Sequence, residues 1–130
     1  MAPSFDRDPQ SPSTGCVALG RDGGEHVRRA ARHHRILCEL PEMEVVELAF
    51  GPDFEGVTPH AHQDHVDSFY VIEGTAEFTV AGETIQAGPG SYVAAPVGVS
   101  HGFRNAGPGE LRMLNVHAPN TGFAERLRGV

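Results

Sequence analysis

The 130 residues of this chain give room for one compact domain with a core of its own, and not for two. Its 17 acidic and 10 basic residues leave a net charge of −7, which disfavours phosphate backbones and anionic membranes as partners. The 16 glycines and 10 prolines argue against a helical bundle and favour short strands joined by tight turns.

The beginning of the chain has the composition of a tail. Residues 1–15 are rich in Pro, Ser and Asp and are predicted to be disordered, so we assign residues 21–130 to a single barrel domain. This opening lacks the basic start and apolar run of a secretory signal, and no segment approaches the ~20 apolar residues that cross a bilayer. We therefore expect a soluble, cytoplasmic protein.

The first structured segment is basic. Residues 21–35 read either as a short amphipathic helix or as a strand, a turn and the start of another strand. We favour strands, because the apolar run ILCEL follows directly and no clear cap precedes it. We expect the basic side chains of this segment to face solvent rather than to bind an anionic partner. Cys38, in that apolar run, is interpreted as a small core residue.

A regular series of strand-like segments follows, with turn residues between each pair, and it predicts an all-β sandwich or barrel. The last segment, residues 122–130, is the one convincing helical stretch. The predicted strands are EMEVVELAF (42–50), VTPHAH (57–62), VDSFYVIEG (66–74), TAEFTV (75–80), ETIQAG (83–88), SYVAAP (91–96), HGFRN (101–105) and ELRMLNVHAP (110–119).

Two of these strands, 66–74 and 112–118, are apolar on both faces. A small barrel that covered only its own interior would alternate more cleanly between apolar and polar residues. Part of the outer surface is therefore predicted to pack against a second subunit, and we expect a homodimer.

The histidines form the candidate site. His60 and His62 are two residues apart in an extended segment, so their side chains share a face. Asp67 has the wrong parity for an unbroken strand, so residues 63–65 must bend before it can face the same point. His101 follows a tight turn further along. His65 lies in the predicted bend and is interpreted as solvent-facing, with a place in the pocket as the alternative.

Three imidazoles and one carboxylate suit a single divalent transition metal, Mn, Fe, Ni, Cu or Zn, and disfavour Ca and Mg. Four protein ligands would leave two positions of an octahedral metal open, unlike a closed structural zinc site. An HxH pair alone is weak support for such a site.

The spacing of the residues around this histidine pair gives stronger support for a metal site. Gly90-x5-Pro96-x-Gly98-x2-His101-x3-Asn105 resembles the second motif of the cupin superfamily, position for position. His60-x-His62-x4-Asp67-x6-Gly74 resembles the first motif, in which members usually carry Glu where this chain has the shorter Asp67. The resemblance covers roughly residues 42–118, with the motifs inside 56–105, and is nearest to small bacterial cupins similar to quercetin dioxygenase.

The resemblance implies a double-stranded β-helix, or jelly roll, with the metal held inside by His60, His62, Asp67 and His101. Glycines at 74 and 90 would permit turns that a Cβ obstructs. Pro96 and Gly98 would form the turn that presents His101, and Asn105 would bond a turn through its side chain.

Other side chains are expected around the metal. Phe69 and Val71 share the parity of Asp67 and, with Phe103 beside His101, should form an apolar wall. One strand face carries Met113, Asn115 and His117. If that face is the inner one, these residues line the cavity; if it is the outer one, they belong to a subunit interface.

Function is left between two classes. The first is an enzyme that activates a small chelating molecule, with dioxygenase chemistry as in flavonol or β-diketone cleavage; cupins also include isomerases and lyases. The second is a non-catalytic module that senses, stores or scaffolds.

Overall fold

The computed structural model describes residues 16–129, and the tail predicted for residues 1–15 lies outside that range. Its elements are the strands β1 (Glu25–Arg29), β2 (Arg32–Leu40), β3 (Met43–Phe50), β4 (Val57–His60), β5 (Val66–Glu73), β6 (Ala76–Val80), β7 (Glu83–Ala87), β8 (Tyr92–Ala95), β9 (His101–Asn105) and β10 (Leu111–Ala118), followed by the helix α1 (Phe123–Gly129).

The strands form two antiparallel sheets, one of six strands in the order β1-β2-β3-β10-β5-β8 and one of four in the order β4-β9-β6-β7. The all-β prediction with a short C-terminal helix is therefore confirmed. The basic segment is a hairpin of β1 and β2, as favoured over a helix. No helix among residues 16–129 is long and apolar enough to cross a membrane.

Hairpin geometry follows from local sequence where β6 turns into β7. Val80 pairs with Glu83, so the loop holds two residues, Ala81 and Gly82, both with positive φ (49° and 83°). This is the arrangement that matches the twist of the flanking strands, and glycine tolerates it without strain.

The core lies between the two sheets and is built around aromatic rings. Phe69 of the six-stranded sheet contacts Phe78 and Phe103 of the four-stranded sheet, with ring centroids 5.2 and 5.4 Å apart. Phe50 joins from β3, 5.4 Å from Phe103. Cys38 is 9% exposed, consistent with its interpretation as a core residue. A cavity lies beside this packing, lined in part by residues of β4 and β9.

Candidate metal centre

Strand pairing brings together the two predicted histidine ligands that are farthest apart in the sequence. His60 ends β4 and is directly opposite His101, which begins β9. His62 follows two residues later, and Asp67 is the second residue of β5. One ligand atom from each of these four residues lies within 4.8 Å of the others. The four residues proposed from the sequence thus form one cluster.

Backbone carbonyls fix the orientation of two of the rings. His60 Nδ1 lies 2.9 Å from the Thr58 carbonyl oxygen, and His101 Nδ1 lies 3.0 Å from that of Val99. A carbonyl oxygen only accepts, so each Nδ1 carries the hydrogen. In the neutral ring the lone pair is then on Nε2, which faces the cluster, as is usual for metal-binding histidines.

The spacing of the donor atoms fits a metal ion. His60 Nε2 lies 3.0 Å from His62 Nε2, and Asp67 Oδ2 lies 2.9 Å from His101 Nε2 and 3.5 Å from His62 Nε2. Bonds of about 2.1 Å place neighbouring ligands about 3.0 Å apart at right angles and about 3.4 Å apart in a tetrahedron. Nitrogen and oxygen donors at these separations are compatible with a divalent transition metal.

Asp67 is buried, 4% exposed, and its other oxygen is also engaged. Oδ1 accepts hydrogen bonds from Asn115 Nδ2 at 2.7 Å and from His117 Nε2 at 3.2 Å. Burial alone would raise the pKa of Asp67, but the bonds from His101, His117 and Asn115 outweigh it and hold the pKa well below its usual range. The carboxylate is therefore charged and held with one oxygen toward the histidines.

A second buried carboxylate stands behind His117. Glu44, 1% exposed, accepts from His117 Nδ1 at 3.0 Å, from Thr121 Oγ1 at 2.9 Å and from the Ala124 amide at 3.0 Å. Burial lowers the pKa of His117, but hydrogen bonds to Asp67 and Glu44 outweigh it and raise that pKa overall. Glu44 thus connects the start of α1, through His117, to the carboxylate of the cluster. Sequence reasoning missed this residue.

The remaining ionisation states follow from the same environment. Burial, together with the neighbouring His65 and His60, lowers the pKa of His62 to about 4. The hydrogen bond to Asp67 raises the pKa of His101. The 2.9 Å hydrogen bond between His101 Nε2 and Asp67 Oδ2 uses the two atoms that would bind a metal, so metal binding would displace the shared proton.

The prediction that His65 faces solvent is wrong. Its ring is 4% exposed and packs against His62 and His117, with centroids 4.1 and 4.9 Å apart. The bend after His62 turns the ring inward and leaves the Asp64 side chain, which its Nδ1 contacts at 2.8 Å, 82% exposed. His65 also belongs to a second close group, with Asp67 and His117.

The cluster lies in a cavity of about 280 Å³. Phe69 and Phe103 form its apolar wall, and Asn115 and His117 line it, which places that face of β10 inside. Val71, expected in the wall, and Met113, expected to line the cavity if its strand face is the inner one, instead lie in the core at 0% exposure and outside the cavity lining. They pair with each other across the strands, four residues beyond the site, too far along β5 and β10 to reach it. Lining residues not anticipated from the sequence include Arg32, His34, Phe123, Arg126 and Leu127.

The turn and motif residues support the site from outside. Gly98, two residues after Pro96, has a φ of 82°, and its amide donates a hydrogen bond to the His62 carbonyl oxygen at 2.7 Å. Gly74 and Gly90 both adopt positive φ, 84° and 88°.

Asn105 bonds backbone groups on several segments. Its Nδ2 donates to the carbonyls of Gly51 and Gly109 at 3.2 and 2.8 Å, and its Oδ1 accepts from the Gly107 amide at 3.1 Å. This is the structural role expected from its position in the motif.

Comparison with known proteins finds relatives that are similar in sequence to part of this chain. It is 26% identical over 84 residues to quercetin 2,3-dioxygenase of Bacillus subtilis and 44% identical over 61 residues to an uncharacterized protein of Streptomyces coelicolor. Those alignments cover 62% and 47% of this chain, but only 25% and 54% of the relatives' own lengths.

Among solved structures, KdgF from a Halomonas species superimposes with a TM-score of 0.68 at 23% identity, over 75% of this chain and 87% of that one. This likeness supports the double-stranded β-helix prediction for the fold. The family model of the cupin domain matches residues 46–117, more than half of the chain. The protein is therefore a member of the cupin family.

Proposed function

We propose that this protein is a metal-dependent enzyme of the dioxygenase type, acting on a small chelating organic molecule. The observation that carries the proposal is the gathering of three imidazoles and one ionised carboxylate, at metal-ligand spacing, in the wall of an apolar cavity. Fold alone would not support a reaction, because cupins host several chemistries.

Each group has a defined task under this proposal. His60, His62, Asp67 and His101 would hold one divalent ion, which would serve as a Lewis acid toward the oxygens of a chelating substrate and as a centre for reaction with dioxygen. Asn115 and His117 orient Asp67 and keep it ionised. The aromatic side chains Phe69 and Phe103 in the cavity wall would limit the access of water to the metal.

Similarity to a quercetin dioxygenase supports dioxygen chemistry over the isomerase and lyase alternatives. The similar segment spans only a quarter of that enzyme, so the substrate is taken here as a class, flavonols and β-diketones, and not as quercetin itself.

The test uses untagged protein reconstituted separately with Mn, Fe, Ni, Cu or Zn. Oxygen uptake is measured with a flavonol and with a β-diketone, for the wild type, for His62→Ala and for His26→Ala, a histidine on β1 outside the cluster. Metal-dependent uptake lost only in His62→Ala supports the proposal. Metal and ligand binding without turnover would instead establish the non-catalytic alternative. Turnover of the substrate without consumption of oxygen would indicate an isomerase or lyase.

A second copy of the chain is the proposed partner. The outer face of β5 and the adjoining edge strand β8 expose Tyr70, Ile72 and Tyr92, at 45, 42 and 64%. An acidic chain associates with itself most readily through a face that carries no charge. Light scattering should give a dimer that Tyr92→Glu dissociates, and a monomeric wild type would contradict this. A cytoplasmic location, and the lack of nucleic-acid and membrane partners, stay predictions from the sequence.

A further inference from the structure

The cavity that holds the histidine cluster is also lined by positive charge. Arg32, at the start of β2, and Arg126, on α1, both line the same cavity as the histidine cluster. Among the described residues that line it, Asp67 is the only carboxylate, and its charge is engaged by the cluster. The two guanidinium groups thus give this cavity a positive charge, whereas the chain as a whole has a net charge of −7.

Neither arginine has an acidic partner in the part of the chain that the structure describes. Within residues 16–129, no carboxylate lies within 4.0 Å of Arg32 or Arg126, whereas Arg35, Arg104 and Arg128 are each paired with a glutamate. The two cavity arginines are held mainly by aromatic rings.

Those rings fix the guanidinium groups without neutralising them. Arg32 lies over Phe54 at 5.1 Å and Arg126 over Phe123 at 6.0 Å, and one Arg126 nitrogen donates to the Thr121 carbonyl at 2.9 Å. Stacked in this way, a guanidinium keeps most of its N–H donors available. The geometry is suited to binding a planar anion such as a carboxylate.

A buried polar group in the same wall also lacks a partner. His34, two residues from Arg32 on the same strand face, is 4% exposed, and its Nδ1 has no hydrogen-bond partner among the described residues. Leaving such a group unpaired costs stability, which a ligand with polar atoms can recover. An entirely apolar ligand would not.

We propose that the cavity binds an organic anion, with Arg32 and Arg126 holding its carboxylate and His34 offering a polar contact, while the opposite end of the ligand chelates the metal. This deepens the proposed function, because it rests on a metal at the cluster and narrows the substrate to chelating molecules with a carboxylate. The cavity of about 280 Å³ limits that ligand to a small one.

The test compares two probes that differ only at one end. Succinylacetone is a β-diketone with a terminal carboxylate, and butyrylacetone has a methyl group in its place. Binding of each is measured by calorimetry in metal-loaded protein for the wild type, Arg32→Gln, Arg126→Gln and the double variant. Arg28→Gln, an exposed β1 arginine outside the cavity lining, is the matched control for the loss of charge.

We expect wild type to bind succinylacetone about tenfold more tightly than butyrylacetone, as two partly solvated ion pairs would give. Each single variant should lower that preference, the double variant should abolish it, and Arg28→Gln should retain it. Metal content and melting temperature should match the wild type in all variants, because both cavity arginines are exposed at the surface.

Equal affinities for the two probes in the wild type, or a preference that survives in the double variant, would overturn the proposal. Repeating the titrations on metal-free protein separates the two proposals. If the metal proposal alone fails, metal leaves both affinities unchanged while the arginine-dependent preference persists. If the anion proposal alone fails, metal strengthens the binding of both probes, but the wild type binds the two with equal affinity.

Discussion

His34 should make the stability of this protein fall as the solution becomes acidic. Burial, together with the nearby charge of Arg32, lowers the pKa of this histidine from 6.5 to about 4. Between these two pH values the unfolded chain binds a proton at position 34 and the folded chain does not. The free energy of unfolding therefore decreases as pH falls through this window and is unaffected by His34 above pH 7.5.

The magnitude follows from the same pKa change. Each tenfold change in proton affinity is worth about 1.4 kcal/mol, so the lowered pKa of His34 corresponds to about 3 kcal/mol between neutral pH and pH 4. Urea unfolding at a series of pH values would measure it in wild type and in His34→Phe, which keeps a ring of similar size but cannot titrate. The variant should lose this part of the pH dependence.

The wild type and His34→Phe differ in only one titrating group, so any difference between their pH dependences is due to His34. Above pH 7.5 the two curves should run parallel whatever the substitution does to packing. Parallel curves between pH 6.5 and pH 4 as well would refute the reasoning, since they would show that His34 is protonated equally in the folded and unfolded chains.

Three further substitutions test the site and its support. Asp67→Asn should weaken metal binding by about tenfold or more in calorimetry, and an unchanged affinity would remove Asp67 from the ligand set. Glu44→Gln, which removes a buried charge that five donors contact, should cost about 2–3 kcal/mol in urea unfolding; wild-type stability would show that the network contributes little. Gly74→Ala should destabilise the protein far more than Gly90→Ala, because the new Cβ would lie 2.3 Å from a backbone oxygen at position 74 and would meet nothing within 4 Å at position 90. Equal losses of about 1–2 kcal/mol in the two variants would show that only the strain of positive φ matters and that the close contact at position 74 does not.

The sequence was most informative where a short-range rule applies. Alternation along a strand placed His60 and His62 on one face, and the motif spacing added His101 from the opposite strand. The structure places these residues together because β4 and β9 pair with His60 directly opposite His101. Turn chemistry likewise located the strand boundaries.

It was least informative where the chain leaves regular structure. Alternation does not extend through the bend at residues 63–65, so the inward position of His65 had no readable signal. Val71 and Met113 have the predicted parity but lie too far along their strands, because parity gives the face of a sheet and not the depth along it.

Glu44 and His34 could have been identified. Glu44 shares parity with Val46 and Leu48, and His34 with Ile36, all of them buried. A charged or polar residue in such a row is a candidate for a buried network. What the row does not show is the partner, since the α1 amide that contacts Glu44 lies 80 residues farther along the chain.

The most direct test of the metal centre is the metal content of untagged protein, measured by mass spectrometry after reconstitution and dialysis, for wild type, His62→Ala and the control His26→Ala. We expect close to one transition-metal ion per chain in wild type and control, and almost none in His62→Ala, with all three folded by circular dichroism. A wild type that stays metal-free, or a His62→Ala variant that holds as much metal as wild type, would contradict the assignment of the cluster.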